Sequence, residues 1–127
     1  MHALIVDDDP LNIDVLVNLL TLEGVTCTAI QNPTQIFEAI QGLNALDVIF
    51  LDLEMPALDG YTVLRQLKED MGLTMPVVAY TVHTSEATHA RHLGFDSFLG
   101  KPLDAEAFSD QFRRIVNGER VWAYQSR

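Results

Sequence analysis

The sequence predicts an α/β fold: one five-stranded parallel sheet, doubly wound, with helices on both faces. Three observations predict it. Short apolar runs alternate strictly with stretches of helical period, five times over. Two of those runs, Ala3 to Val6 and Val48 to Leu51, are continuously apolar rather than alternating, as strands covered on both faces are. Reactive polar residues follow the strands directly, at the carboxyl edge where open parallel sheets bind ligands.

The first strand, Ala3 to Val6, runs into Asp7-Asp8-Asp9. Asp9 reads as a helix N-cap with Pro10 at the first helical position, where a missing N–H costs nothing. Leu11, Val15, Leu16, Leu19, Leu20 and Leu22 give that helix an apolar stripe, and Gly24 closes it. Val25 to Ile30 mixes threonine with apolar residues and reads as an edge strand. Asn32-Pro33 repeats the cap-then-proline signal for a second helix, lined by Ile36, Phe37 and Ile40 and ended by Gly42. The third strand ends in Asp52, and a turn with Pro56 and Asp59-Gly60 leads to a helix from about Gly60 to Met71. Pro76 to Thr81 is the fourth strand, Thr84 to Leu93 a weakly apolar helix, and Phe95 to Leu99 the fifth strand. Asp104 caps a last helix lined by Phe108, Phe112, Ile115 and Val116, with Gly118 as its stop. This places a domain at 1–118 and a tail at 119–127.

Hydrophobic residues make up 48% of the chain and charged residues 20%, which describes a globular protein with one core. No apolar run is long enough to span a membrane, and Met1-His2 leads straight into a strand without a basic leader. The net charge of −10 argues against nucleic-acid binding, which needs a basic stripe. A lone cysteine, Cys27, allows no internal disulfide and points to a cytoplasmic setting, with Cys27 as a packed side chain.

The strand ends supply Asp7, Asp8 and Asp9, then Asp52, Thr81 and Lys101. Gathered carboxylates repel one another, and a hard divalent ion relieves the conflict. The cluster therefore predicts Mg2+ (or Mn2+) on Asp8 and Asp52, with Asp7 in or just behind the ligand shell. Zinc is disfavoured without histidine or cysteine in the cluster. A lysine and a hydroxyl beside a metal and a carboxylate suit phosphoryl transfer, with Asp52 as nucleophile, Lys101 as counter-charge and Thr81 as hydrogen-bond donor. Any one strand-end Asp is more often a cap, as Asp9, Asp59 and Asp104 read. The conjunction on one edge carries the argument.

Those residues resemble the receiver domains of two-component response regulators. The motifs are Ile5-Val6-Asp7-Asp8, the segment Asp52-Leu53-Glu54-Met55-Pro56-Ala57-Leu58-Asp59-Gly60, Thr81, and Lys101-Pro102, and the likeness runs from residue 3 to about 117. The resemblance implies a flavodoxin-like fold with strand order 2-1-3-4-5. It implies Asp52 as phosphoacceptor, and Asp7, Asp8, Asp52 and the Glu54 carbonyl as Mg2+ ligands. Lys101 and Thr81 would contact the phosphoryl group. It further implies a switch in which Thr81 moves and Phe98 turns inward, and it marks Glu54, Val82 and His83 as positions that tune phosphoryl lifetime and access. The implied donor is a sensor histidine kinase or a histidine phosphotransfer protein. The implied output is protein contact through the fourth helix, fifth strand and fifth helix, as in a standalone receiver; homodimerisation is left open.

His83, His89 and His92 read as a solvated helix face rather than a metal site. Trp122 and Tyr124 in the tail either dock or stay free. Two other functions compete. An interaction-only pseudo-receiver normally lacks an acid, the acceptor or the lysine, and all are present. A haloacid-dehalogenase-type phosphatase with Asp7 as nucleophile would leave Asp52 and its Met-Pro-x-x-Asp-Gly segment unexplained.

Overall fold

The fold was taken from a computed structural model that describes residues 1–55 and 59–123. Pro56, Ala57, Leu58 and Tyr124 therefore lie outside the described residues. The strands are β1 (His2–Val6), β2 (Thr26–Ile30), β3 (Val48–Asp52), β4 (Val77–Thr81), β5 (Ser97–Gly100) and β6 (Trp122–Ala123). The helices are α1 (Pro10–Leu22), α2 (Ile36–Gln41), α3 (Gly60–Arg65, continued by a π-type segment Gln66–Asp70), α4 (Ala87–His92) and α5 (Ala105–Val116).

The sheet is parallel with order β2-β1-β3-β4-β5-β6. The first five strands follow the expected 2-1-3-4-5. The sixth corrects the expectation of five strands and of β5 as an edge. Trp122 pairs with Phe98 and Ala123 with Leu99, so part of the tail joins the sheet. Val121-Trp122-Ala123 is shorter than the four to eight residues that mark a strand in sequence, and it follows Glu119-Arg120.

Two apolar layers flank the sheet. Ile13, Leu16 and Leu20 of α1 and Phe108, Phe112 and Ile115 of α5 cover Ala3, Ile5, Phe50 and Tyr80 on one face. Ile36, Val63, Leu64, Leu67, Ala87 and Ala90 cover Leu4, Leu51, Ala79 and Phe98 on the other. That alternation explains the unbroken apolar runs of β1 and β3: every side chain in them meets a covered face.

The helix starts are fixed by caps. Asp9 accepts the Leu11 N–H at 3.0 Å, Asp59 the Tyr61 N–H at 3.1 Å, and Asp104 the Glu106 N–H at 3.0 Å. α1 ends in a Schellman motif: Gly24, at φ 77°, donates to Thr21, and Val25 to Leu20. The stripe of α1 differs from the expected one. Ile13 is buried with Leu16 and Leu20, whereas Leu11, Val15 and Leu22 point outward, so part of the apolar pattern serves the surface. β5 begins at Ser97 rather than Phe95, because Phe95 belongs to the turn that closes α4, its N–H donating to Ala90.

The burial difference along α1 has a measurable consequence. Leu16→Ala should lower unfolding free energy by about 2–5 kcal/mol in a urea titration, by loss of contact and a residual cavity. Leu11→Ala, at a position 73% exposed, should change it by less than about 0.5 kcal/mol. Similar costs at the two positions would contradict the orientation of α1.

Candidate functional site

The ends of β1, β3, β4 and β5 converge on one buried cation and two buried carboxylates. Asp7 follows β1, and its N–H donates to Ile30 at 3.1 Å, which extends the ladder with β2 and fixes its backbone. Its carboxylate is fully buried. Oδ1 accepts the Asp9 N–H at 2.9 Å; Oδ2 accepts the Tyr80 hydroxyl at 2.7 Å and the Lys101 ammonium at 3.2 Å. Asp52, 3% exposed, closes β3. Its Oδ1 accepts the Glu54 N–H at 2.9 Å, and its Oδ2 stands 3.5 Å from the same ammonium.

Lys101 follows β5 and is held by its own N–H, which donates to the Thr81 carbonyl at 2.8 Å; the Lys101–Pro102 peptide is cis. Its side chain is 8% exposed, and its Nζ lies 4.4 Å from the centre of the Tyr80 ring. Asp8 is exposed at the mouth, and carboxylate oxygens of Asp7, Asp8 and Asp52 fall within 4.8 Å of one another.

The two buried acids respond differently to this setting. Burial pushes Asp7 up, but the Asp9 N–H, the Tyr80 hydroxyl and the Lys101 ammonium outweigh it and hold the carboxyl below its ordinary value. Burial pushes Asp52 up to about 6, reinforced by the charge on Asp7 and only partly opposed by the Glu54 N–H and Lys101. One lysine thus answers two buried carboxylates, with a third acid beside them. The excess of negative oxygen fits a hard divalent ion such as Mg2+ or Mn2+, and the cluster holds no histidine or cysteine that would favour zinc.

Thr81, fully buried at the end of β4, donates its hydroxyl to Glu54 Oε1. The same Glu54 oxygen accepts the Val82 N–H at 3.1 Å, and its other oxygen lies 2.8 Å from His83 Nε2. Glu54, Val82 and His83 therefore meet at Thr81, with Val82 56% exposed. Phe98 is buried in the layer beneath α4 and faces Trp122, ring centres 6.3 Å apart. His89 contacts the Tyr61 ring at 4.8 Å and His83 bonds to Glu54, so these histidines serve separate contacts.

Sequence reasoning missed Tyr80. Taking only the last polar residue of each strand selects Thr81 and passes over its neighbour, which points to the opposite face. The available signal was a tyrosine within a buried strand, since such a hydroxyl needs a partner.

Comparisons with known proteins agree with this geometry. Residues 3–113 match the response regulator receiver domain family. The chain is 32% identical over 123 residues to the sensor histidine kinase RcsC of Salmonella typhi, covering 95% of this chain and 13% of that protein. It is 34% identical over 104 residues to the DNA-binding transcriptional regulator NtrC of Escherichia coli K12, covering 80% of this chain and 22% of that one. The chain thus spans a small part of the curated relatives it matches. Among solved structures it superposes on a two-component response regulator from Clostridium difficile with a TM-score of 0.81 at 25% identity, covering 92% and 96% of the two chains.

The unequal acids give a direct titration test. In metal-free protein, the Asp52 carboxyl carbon followed by NMR should titrate with a midpoint of about 6, while Asp7 stays ionised below the ordinary carboxylate range. Added Mg2+ should lower the Asp52 midpoint, and Mg2+ affinity should rise with pH through about 6 and then level off. An Asp52 midpoint near 4 that ignores Mg2+ would contradict the site.

Proposed function

The chain belongs to the response regulator receiver domain family, and from that premise we propose that Asp52 accepts a phosphoryl group from a histidine kinase or a histidine phosphotransfer protein. The observation that carries this reading is the buried carboxylate of Asp52 held opposite a lysine that it shares with Asp7.

At neutral pH a carboxyl titrating at about 6 is mostly ionised yet remains basic enough to act as a nucleophile. An Asp52 oxygen attacks the donor phosphorus and forms a P–O bond. The P–N bond to the donor imidazole breaks, and the electron pair leaves on that nitrogen. Lys101 is placed to neutralise the phosphoryl oxygens as they gather charge. Tyr80 and the Asp9 N–H keep Asp7 ionised as Lys101's second counter-charge. Asp7, Asp8, Asp52 and the Glu54 carbonyl would hold Mg2+, which when bound offsets the negative charge of donor and acceptor.

Thr81 enters last. Its hydroxyl is donated to Glu54, so it must leave that carboxylate before it can donate to a phosphoryl oxygen. Glu54 and the phosphoryl group compete for one proton donor. This supports Glu54, Val82 and His83 as tuning positions and Thr81 as a moving part, with Phe98 as its buried aromatic counterpart on β5.

The donor must approach the carboxyl edge. α1 starts there and turns Leu11, Val15 and Leu22 outward, one face at helical spacing, which suits a helical donor surface. The output surface is formed by α4, β5 and α5, with β6 now part of it.

The test is intact mass after acetyl phosphate and Mg2+. Wild-type chain should gain one phosphoryl group, and none should form in Asp52→Asn or without metal. Label that persists in Asp52→Asn, or steady phosphate release through Asp7, would overturn the assignment.

A further inference from the structure

Tyr80 precedes Thr81 on β4 and points to the opposite face of the sheet, into the layer beneath α1 and α5. Asp52 is its partner in the ladder, and Val6 pairs with Leu51, which puts Asp7 in the same row. Tyr80 therefore reaches from β4 across β3 to β1, where its hydroxyl donates to Asp7 Oδ2 at 2.7 Å. The ring that makes this reach is clamped. Phe50 meets it edge-on with centres 6.4 Å apart, and Phe108 of α5 stands 6.4 Å behind Phe50. The Lys101 ammonium lies against the same ring, 4.4 Å from its centre.

The donors around the two acids explain why the ammonium is shared. It stands 3.2 Å from Asp7 and 3.5 Å from Asp52. A buried cation moves toward the carboxylate left with the fewest other donors, because an unsatisfied buried oxygen is costly. Among the described residues Asp52 has one other donor, the Glu54 N–H, whereas Asp7 has two, the Asp9 N–H and the Tyr80 hydroxyl. The hydroxyl is what gives Asp7 the surplus. Without it each acid keeps one backbone donor, and Asp7 has no exposure to water while Asp52 keeps 3%. Asp7 then makes the stronger claim on Lys101.

We propose that Tyr80 is a positioning residue for Lys101: its hydroxyl satisfies Asp7 and its ring seats the ammonium, so that the cation stays available to Asp52. Tyr80 touches neither the acceptor nor a donor and acts only through Lys101. A phenylalanine would pack as well against Phe50, so the packing does not require the hydroxyl; Asp7 does. The part Tyr80 plays in the reaction rests on the reading of Asp52 as phosphoryl acceptor, since the cation it keeps from Asp7 is the one placed to meet the phosphoryl oxygens. Its hold on Lys101 does not rest on that reading.

A crystal structure of the Tyr80→Phe chain in chelator reads the position of Lys101 directly. The ammonium should close on Asp7 to about 2.8 Å and stand more than about 4 Å from Asp52. With acetyl phosphate and Mg2+, followed by intact mass, the phosphorylation rate constant of Tyr80→Phe should fall about tenfold, the effect of one hydrogen bond to a charged group. The Mg2+ concentration for half-maximal rate should not rise, because Asp7 loses a donor and no oxygen. In a Lys101→Met background the same substitution should change the rate less than about twofold. An ammonium still shared between both acids, or a rate loss that persists without Lys101, would overturn the proposal. Weakened Mg2+ binding that accounts for the slower rate, or a Tyr80→Phe chain that does not fold, would mark a merely structural tyrosine and overturn it too. If wild type gains no phosphoryl group, the acceptor assignment fails, and the position of Lys101 in Tyr80→Phe still decides this inference.

Discussion

The structure turns on a single ammonium group buried between two carboxylates. Removing three charges from water is costly unless each finds close partners. Lys101 supplies one cation to Asp7 and Asp52, and neutral donors supply the rest: the Asp9 and Glu54 N–H groups and the Tyr80 hydroxyl. These partners come from β1, β3, β4 and β5 together, so the arrangement exists only when the sheet is assembled in its parallel order. The apolar layers on both faces are what allow it to be dry.

The balance is deliberately incomplete in its effect: two buried negative charges face one positive charge, and Asp8 adds a third acid at the mouth. Asp7 receives the better set of donors and stays ionised, while Asp52 is left with a raised pKa. That asymmetry separates a carboxylate held ionised from one whose pKa is raised, although both are aspartates at strand ends. The same edge links to the α4–β5 face through the backbone. The Lys101 N–H binds the Thr81 carbonyl, and Phe98, three residues before Lys101, forms one wall of the groove that holds Trp122. Lys101 and the groove that holds Trp122 are therefore joined through β5.

The alternation of strands and helices and the acid cluster were legible in the sequence because both follow from strong local signals, whereas the sheet order came from the family resemblance. Continuous apolar strands, Asp caps and glycine stops mark the elements, and strand ends of a parallel sheet must share an edge. What stayed hidden depended on which way a side chain faces. Leu11 and Ile13 are both apolar, and only packing decides that Ile13 is inside. Tyr80 was masked by its neighbour Thr81. β6 has too few residues for a periodicity, and its stability comes from contacts with Ser97, Ala87 and Arg91 that are remote in sequence. The Thr81–Glu54 bond likewise joins the end of β4 to the loop after β3.

Thermal melting of wild type and Asp52→Asn at pH 8, in chelator and in Mg2+, tests the central claim most directly. The folded Asp52 carboxyl titrates at about 6, above the ordinary value of 3.8, so its neutral form favours the fold and that contribution is lost as pH rises through about 6. At pH 8 the charge costs about 1–3 kcal/mol, which is several degrees for a chain of this size. Without metal, Asp52→Asn should therefore melt above wild type, and Mg2+ should raise wild type far more than the variant. A variant that melts below wild type in chelator, or equal stabilisation of both by Mg2+, would contradict the account.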